Sequence, residues 1–280
     1  MNSRFDLNMH DYIHQAEGKL FFNRRMFSTI APRYDFITRV LSFGRDTSWK
    51  NRLVNDLPFF AAEHAESAET RSEAKSPLRQ KPNLTSANSA VSAVNISSPH
   101  CLDIACGTGD ITFRLAAKYP AGRIVGLDVT EPMIDYARKR NTFSNITFTL
   151  QDMCRTNFAD ASFDIVTGGY ALRNAPNLEQ ALIEIRRVMK PGATAAFLDF
   201  SKPPNRFLQK AKGMLLKFWG GFWGILLHRN PQLYTYIAES LKLYPDRIAL
   251  KQLITKLGFT NIRSRKHFLG FAETIFFQKP

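Results

Sequence analysis

The feature that most constrains the fold is a short apolar run, His100–Ile104, that leads into a turn with two glycines, Gly107 and Gly109. A helix-like segment, Asp110–Lys118, follows directly. Because glycine lacks a Cβ atom, a turn of this kind lets a ligand approach the backbone closely. Open α/β sheets bind ligands outside the carboxyl ends of their strands, so the sequence predicts a ligand site at this turn.

Strand-like and helix-like segments alternate after the turn. The pattern predicts strands at Arg123–Asp128, 145–150, 162–168 and 193–200, helices at Glu131–Arg140, 178–189 and 246–257, and a terminator of the second of these helices at 190–192. Two further strand-like runs, Thr260–His267 and Ala272–Gln278, close the chain as a hairpin. This alternation predicts an α/β fold with a doubly wound, mostly parallel sheet and an antiparallel C-terminal hairpin.

The residues around the turn indicate which ligand it binds. A dinucleotide fingerprint needs a glycine or alanine where Thr112 stands, which argues against a hydride-transferring dehydrogenase. Asp103 lies at the strand end, where a pyrophosphate would meet an acid. Asp128 ends the next strand, 19 residues after Gly109, where a carboxylate can accept both ribose hydroxyls. S-adenosylmethionine carries an ammonium and a sulfonium but no phosphate, so the pattern favours that cofactor.

The charge balance limits the partners. The chain has 38 Lys and Arg against 24 Asp and Glu, a formal charge of +14. This excess predicts an anionic partner, either nucleic acid or an anionic membrane surface, although simple solubility explains it as well. No separate RNA-binding module is recognisable, which argues against nucleic acid.

Cysteine usage and hydropathy indicate the cellular setting. Cys101, Cys106 and Cys154 form no CxxC pair, so we expect no metal site and a reduced, cytoplasmic environment. The N-terminus lacks the apolar core of a signal peptide. The most apolar stretch, 213–227, is shorter than the roughly 20 residues of a spanning helix. We therefore expect a protein that touches the inner face of a membrane at most peripherally.

Later segments resemble the class I methyltransferases. Gln151, Asp152 and Met153 follow the third strand, where that class contacts the adenine, and 168–170 follow the fourth, facing the same crevice. The resemblance implies a Rossmann-like, seven-stranded sheet.

A narrower resemblance covers nearly the whole chain outside 61–99 and the extreme N-terminus. The matching segments are 27–35, 41–44, 49–50, 103–110, 171–174, 198–203 and 234–240. In this order they resemble the ubiquinone/menaquinone biosynthesis C-methyltransferases. The chain departs from that pattern at Ala171, which replaces a glycine, after Gly270, where a His is common, and in the insertion before the first strand.

The resemblance implies an acceptor and a cofactor site. The acceptor would be a polyprenylated hydroquinone methylated on carbon, either demethylmenaquinol, a 2-polyprenyl-6-methoxy-benzoquinol, or both. The residues expected to bind the cofactor are Asp103, Gly107, Thr108, Gly109, Asp128, Asp152, Met153 and Gly169.

The chemistry of carbon methylation suggests catalytic residues. A ring carbon becomes nucleophilic when a neighbouring hydroxyl ionises, so the enzyme must share or remove that proton. Our candidates are Asp35, directly or through a water, as the base, Arg173 to stabilise the phenolate, and Tyr34 to orient the ring. Alternatively, Tyr34 and Asp35 form a helix boundary with a capping carboxylate, and Arg173 and Asn174 form a polar loop that tethers the turn.

The organisation predicted from these patterns has three parts. Residues 1–60 form a helical substrate-side segment, 61–99 a flexible insertion, and 100–280 the methyltransferase core with a helical, membrane-facing insertion at about 203–245. Basic residues among the apolar ones of 207–227 suit an anionic membrane surface, although helical spacing also fits simple packing onto the core.

Partners and alternative functions complete the predictions. The expected partners are a lipid quinol, an anionic membrane, other enzymes of quinone biosynthesis and a second copy in a homodimer. The competing functions are methylation of RNA or another small molecule, and a non-catalytic scaffold of a quinone-biosynthesis complex.

Overall fold

A computed structural model describes residues 7–57 and 98–280 of the chain. Its strands form one seven-stranded sheet in the order β3-β2-β1-β4-β5-β7-β6. The strands are β1 (His100–Ile104), β2 (Arg123–Asp128), β3 (Ile146–Leu150), β4 (Phe163–Gly169), β5 (Met189–Phe200), β6 (Thr260–His267) and β7 (Ala272–Gln278). The first five pair in parallel, and β7 pairs antiparallel with β5 and β6. The predicted fold class and the closing hairpin are confirmed.

Helices connect and cover the strands. They are α1 (Ala16–Ile30), α2 (Tyr34–Leu41), α3 (46–57), α4 (Asp110–Lys118), α5 (Glu131–Arg140), α6 (Ala171–Asn174), α7 (Leu178–Val188), α8 (Arg206–His228), α9 (Gln232–Leu243) and α10 (Arg247–Lys256). Side chains of Asn177, Asn205 and Asp246 accept backbone N–H bonds at the starts of α7, α8 and α10. These caps satisfy donors that the first helical turn leaves free.

The helices that precede the sheet pack with those that follow β5. Phe22 and Met26 of α1 and Ile37 of α2 share one buried cluster with Leu233 and Tyr234 of α9. The cluster forms a helical cap, defined here as α1, α2, α8 and α9. Glycines in the turn after β1 and the cap together frame the cavities described below.

The structure differs from the sequence prediction at the start of β5, and it describes almost none of the predicted insertion. The residues 190–192, predicted to separate a helix from a strand beginning at 193, lie inside β5, which starts at Met189. The predicted start of the strand was wrong because Met189 already pairs with Phe163. The next pair is Ile165 with Thr194, so residues 190–193 of β5 bulge out opposite a single residue of β4. The predicted insertion at 61–99 lies outside the described residues except for 98–99.

Within 7–57 and 98–280, no helix has both the length and the hydropathy needed to cross a bilayer.

Candidate active site

The turn after β1 is held open by two left-handed glycines. Gly107 has φ +56° and Gly109 φ +91°. A Cβ on Gly109 would lie 2.7 Å from the ring of Phe113. The Gly109 N–H donates to the carbonyl of Cys106 at 3.0 Å. A larger residue at Gly109 would therefore meet both backbone strain and a steric clash.

Asp128 is fixed at the end of β2 by backbone donors. Its Oδ2 accepts from the Gly107 N–H at 2.9 Å, and its Oδ1 accepts from the Thr130 N–H at 2.8 Å. Burial raises the pKa of this carboxyl, while the N–H donors oppose the rise. Each oxygen keeps a further lone pair, so the carboxylate can still accept from ligand hydroxyls.

Asp103 lies beneath the turn, almost completely buried. Its Oδ2 accepts from the Thr112 hydroxyl at 2.6 Å and its Oδ1 from the Thr167 hydroxyl at 2.9 Å. Burial raises the pKa of Asp103 to about 6, against the effect of these donors. Thr112, the residue that departs from a dinucleotide fingerprint, therefore has a defined role as a donor to Asp103.

A cavity of about 600 Å³ opens beside the turn, and we call it the cofactor cavity. It is lined by Leu20, Asn23, Phe27, Tyr34, Ala105, Gly107, Leu127, Asp128, Val129, Thr130, Met133, Gln151, Asp152, Met153, Gly169, Tyr170, Asn174 and Pro176. Its volume lies in the range of small-molecule sites. The lining suits S-adenosylmethionine. The carboxylates of Asp128 and Asp152 can accept from hydroxyl or amino groups, and apolar side chains such as Met153 can pack on a flat base.

The cofactor cavity brings together five of the predicted binding residues: Gly107, Asp128, Asp152, Met153 and Gly169. Asp103 and Thr108 line a smaller adjoining cavity instead. Gly109 appears on neither wall and acts through the shape of the turn.

A second cavity, of about 480 Å³, lies between the cap and the cofactor cavity, and we call it the acceptor cavity. Its walls are mainly apolar side chains of α1, α2 and α9. Polar groups come from seven residues: Tyr34, Thr38, Tyr170, Arg173, Asn174, Tyr234 and Tyr236. Phe27, Tyr34, Tyr170 and Asn174 also line the cofactor cavity, so the two cavities meet at these residues.

Tyr34 stands at this junction as the first residue of α2. Burial raises the pKa of its phenol well above the usual value, although Lys50 opposes the rise. The phenol is therefore protonated at neutral pH and can donate a hydrogen bond to a group in either cavity.

Arg173 reaches the acceptor cavity from α6 and is almost completely buried. Its Nε donates to Asp199 Oδ1 at 3.0 Å, its backbone N–H to Asp199 Oδ2 at 3.0 Å, and its Nη1 to Ser240 Oγ at 2.5 Å. The guanidinium also lies 5.8 Å from the Phe200 ring centre and 5.9 Å from that of Tyr236. These contacts fix a cation at the wall of an apolar cavity.

Asp35 lies outside both cavities. It is exposed in the first turn of α2, where Oδ1 accepts from the Thr108 hydroxyl at 2.5 Å and Oδ2 forms an ion pair with Arg140. The alternative prediction of a helix boundary is confirmed, since α2 begins at Tyr34, but its capping carboxylate is wrong, because Asp35 provides no capping bond to α2. The geometry makes Asp35 a link between α2 and the glycine turn and does not favour its predicted role as the base.

Sequence reasoning missed a buried polar network under Tyr34. Lys50 Nζ lies 2.7 Å from Asp46 Oδ2 and 3.0 Å from Asp110 Oδ2, and the Tyr170 hydroxyl donates to Asp46 Oδ1 at 2.7 Å. Burial alone would lower the pKa of Lys50, but Asp46 and Asp110 outweigh burial and raise it. The signal available in the sequence was the 49–50 motif. A lysine buried next to a tryptophan needs a partner for its charge.

Sequence reasoning also missed the hydrogen bonds that α1 donates to α6 and the residue after it. Lys19 Nζ donates to the carbonyls of Arg173 at 2.9 Å and Ala175 at 2.7 Å, and Asn23 Nδ2 donates to the Asn174 carbonyl at 2.9 Å. Three consecutive carbonyls of the segment that carries Arg173 are thus bound by α1. Burial lowers the pKa of Lys19 to about 8.

Known proteins match this chain at the level of sequence. Residues 84–278 match the model of the ubiE/COQ5 methyltransferase family. A demethylmenaquinone methyltransferase of Thermus thermophilus is 32% identical over 237 residues, which cover 84% of this chain and 91% of that protein. One from Lactobacillus johnsonii is 29% identical over 250 residues, covering 88% and 87%.

Solved structures match the fold. A candidate methyltransferase from Haloferax volcanii, in complex with the Trm112 methyltransferase activator, has a TM-score of 0.55 at 13% identity and covers 91% of this chain and 97% of its own. Phosphoethanolamine N-methyltransferase 2 of Haemonchus contortus, with S-adenosylhomocysteine bound, has a TM-score of 0.50 at 13% identity, covering 66% and 49%. At these identities the likeness shows the fold alone.

Proposed function

Because this chain belongs to the ubiE/COQ5 methyltransferase family, and is thus an S-adenosylmethionine-dependent methyltransferase, we propose that it methylates a ring carbon of a polyprenylated demethylated quinol. The observation that carries this proposal is the apolar acceptor cavity, which meets the cofactor cavity at Tyr34. Relatives named demethylmenaquinone methyltransferases make demethylmenaquinol, in menaquinone biosynthesis, the first acceptor to test. A benzoquinol precursor of ubiquinone is the second.

The shape and polarity of the acceptor cavity suit a hydroquinone. Its apolar walls, which include Ile37, Leu41 and Leu233, would contact the ring and the first isoprene units. Three of its polar residues, Tyr34, Tyr170 and Asn174, lie where the cavity meets the cofactor cavity. A ring hydroxyl would bind there, with the neighbouring ring carbon facing the cofactor.

Arg173 supplies the electrostatic part of the reaction in this proposal. A fixed cation beside a hydroxyl in an apolar cavity favours its ionised form, with the hydroxyl proton passing to a water molecule, and ionisation makes the ortho carbon nucleophilic. The Tyr34 phenol, protonated at neutral pH, would donate to a quinol oxygen and orient the ring. S-adenosylmethionine, when bound, supplies an electrophilic methyl group.

The cofactor-binding residues would have separate roles. Asp128 would accept the ribose hydroxyls, and Asp152 and Met153 would contact the adenine. Gly107 would allow close approach of the cofactor to the backbone. Gly169 lines the same cavity, and packing requires a glycine there, since a Cβ would lie 2.9 Å from the Ile111 side chain. Asp103 would provide negative charge below the turn, near the cationic end of the cofactor.

A methyl-transfer assay tests the proposed acceptor. Purified protein, labelled S-adenosylmethionine and short-chain demethylated naphthoquinol or benzoquinol should give a product methylated on a ring carbon, located by NMR. Transfer to RNA instead, or no transfer to either quinol with intact cofactor binding, would contradict the proposal and favour the RNA or scaffold alternatives. Mass spectrometry of the quinone pool in a deletion strain would identify the natural ring from the precursor that accumulates.

Arg173→Lys should lower kcat by 10²-fold or more and leave cofactor affinity unchanged, because the single ammonium cannot reproduce the guanidinium geometry. Arg173→Ala also leaves the buried Asp199 unpaired, so its folding must be checked by thermal unfolding. Full turnover in a folded Arg173 variant would remove the residue from the mechanism.

We also propose where the protein works and with what. A polyprenylated acceptor resides in a membrane, so the enzyme would act peripherally at the inner, anionic face. Association with other quinone-biosynthesis enzymes and formation of a homodimer stay predictions, as do the three-part domain boundaries at 1–60, 61–99 and 100–280.

A further inference from the structure

Helix α8 presents large apolar side chains to solvent. Phe218 is 78% exposed and Phe207 76%. Six others on the same helix are at least half exposed or nearly so: Leu208, Met214, Leu215, Phe222, Ile225 and Leu226. Soluble proteins rarely expose a contiguous apolar patch of this extent without a partner for it.

The exposed side chains share one side of the helix. At 3.6 residues per turn, all eight fall within an arc of about 120°. Leu216, Gly220 and Gly224, which are the buried residues of α8, lie on the opposite side. Simple packing onto the core, one of the two alternatives from the sequence, therefore accounts for the second group but not for the first.

Side chains outside α8 extend the same patch. The Phe43 ring stacks on Trp219 at 5.5 Å and lies 5.9 Å from Phe268. Phe36 lies 6.1 Å from Trp223, and Leu269 at the tip of the β6–β7 connection is fully exposed. We call the outer side of α8, together with Phe36, Phe43 and 268–269, the docking face.

Positive charge borders the docking face. Arg206, Lys210 and Lys217 are exposed along one edge of the apolar arc. Arg45 lies over the Phe268 ring at 4.7 Å, beside the tip. Helix α8 contains no Asp or Glu, so its own sequence has no carboxylate to pair with these cations.

The docking face is joined rigidly to the acceptor cavity. A Cβ on Gly220 would lie 2.7 Å from the Tyr234 carbonyl oxygen, so α8 and α9 pack at close range. The Trp219 Nε1 donates to the Val40 carbonyl at 3.2 Å, which ties α8 to α2. Helices α2 and α9 supply Ile37, Leu41 and Leu233 to the cavity wall.

We propose that the docking face binds the surface of an anionic bilayer, with the apolar side chains among the acyl chains and the basic edge at the headgroups. An apolar arc bordered by cations is the arrangement that binds such interfaces. A second copy of the chain fits less well, because a two-fold contact with antiparallel α8 helices would bring the basic edges together, and α8 has no acid to place between them. The bilayer contact itself does not depend on the acceptor. Delivery of a lipid quinol through it rests on the proposed function.

Vesicle flotation of the full chain tests the contact. We expect the protein to float with vesicles containing about 30% phosphatidylserine at low salt, and to bind pure phosphatidylcholine at least tenfold more weakly. F207S/F218S should reduce binding to anionic vesicles at least tenfold. I183S, which removes an apolar side chain that is 45% exposed on α7, outside the docking face, should bind like wild type.

Charge variants test the basic edge. K210E/K217E should reduce binding at least tenfold, since each cation near an anionic surface contributes about fivefold. K139E, at an exposed position on α5, serves as the control and should change binding less than threefold. Thermal unfolding of each variant shows whether it is folded.

Three results would overturn the proposal: no flotation of wild type at low salt, wild-type flotation by folded F207S/F218S, or a wild-type dimer in light scattering that F207S/F218S converts to monomers. Turnover measurements distinguish a failure of the bilayer contact from a failure of the proposed function. F207S/F218S should methylate a short-chain soluble quinol like wild type but lose at least tenfold with a long-chain quinol in vesicles. If neither quinol reacts yet flotation holds, the proposed function fails and the docking face stands.

Discussion

Asp103 shows at the scale of one residue how this site differs from a dinucleotide site. Two threonine hydroxyls, from Thr112 and Thr167, donate to its carboxylate below the glycine turn. A pyrophosphate would be repelled there, whereas a cationic ligand would be attracted. Burial raises the pKa of Asp103 from 3.8 to about 6, so the ligand-free protein loses stability as the pH rises through this interval, and the loss is complete above pH 6.

This shift predicts a pH dependence of cofactor binding. Below about pH 6 the Asp103 carboxyl is protonated in the free protein, and binding a cation near it must release that proton. Affinity for S-adenosylmethionine should therefore fall by up to about tenfold per pH unit below 6. Titration calorimetry between pH 5 and 8 measures this, and Asp103→Asn should remove most of the slope. Equal affinity of wild type at pH 5 and 7.5 would contradict the assigned role.

We predict that Lys19 affects turnover indirectly, by positioning Arg173. Its ammonium binds the carbonyls of Arg173 and Ala175, so Lys19→Met should loosen α6 and lower kcat several-fold, with little change in cofactor affinity. The lost bonds should also cost about 1–3 kcal/mol of stability.

Lys118 gives the matched control for Lys19. It also donates to two backbone carbonyls, those of Val54 and Asn55. Lys118→Met should lose similar stability while keeping kcat, and Lys19→Arg should restore part of the turnover. An equal loss of kcat in both Met variants would reduce Lys19 to a structural residue.

At the scale of elements, α2 is attached to the glycine turn through one carboxylate. Asp35 binds both the Thr108 hydroxyl and Arg140 of α5. This arrangement holds Tyr34, the neighbour of Asp35, at the junction of the two cavities. The attachment is exposed, so it should contribute at most about 1 kcal/mol to stability.

Asp35→Asn distinguishes an attachment from a base. If Asp35 only holds α2, the cofactor should dissociate several-fold faster while kcat at saturation changes less than about threefold. A general base would instead lower kcat by about 10²–10⁴-fold without changing the dissociation rate. Stopped-flow measurement of cofactor dissociation, with turnover measured in parallel, distinguishes the two roles. Thr108→Val should give the result expected of an attachment, faster dissociation with little change in kcat.

At the scale of the whole molecule, the cofactor cavity is shared between two parts of the chain. Leu20, Phe27 and Tyr34 come from the N-terminal helices, while Asp128 and Met153 follow strands of the sheet. A ligand that fills the cavity contacts both parts and should stabilise them together.

Cofactor at about 100 times its Kd should therefore raise Tm by about 5–10 °C, since this saturation adds about 2.7 kcal/mol. Hydrogen exchange should slow in α1 and α2 as well as in the sheet. Asp128→Ala should lose both effects. Protection limited to the sheet would show that the N-terminal helices do not close over the cofactor.

Local sequence signals were sufficient to predict the sheet and to propose where its ligand binds. Alternating apolar segments, the glycines at 107 and 109 and the acids at 103 and 128 are local signals, because strand periodicity and turn geometry depend on near neighbours. The start of β5 was misplaced, because pairing with β4, a long-range interaction, outweighs the turn residues at 190–192.

The polar partners of the glycine turn and of the two cavities could be identified only from the tertiary structure. Lys50 meets Asp110 across 60 residues, and Lys19 meets the Arg173 carbonyl across 154. Nothing in either local sequence specifies these partners, because the packing of the cap on the sheet brings them together. The same packing turned Asp35 away from the cavities and left one side of α8 exposed. Local sequence at the turn therefore indicated where to expect the cofactor, whereas the packing of the cap determines which partners each neighbouring residue has.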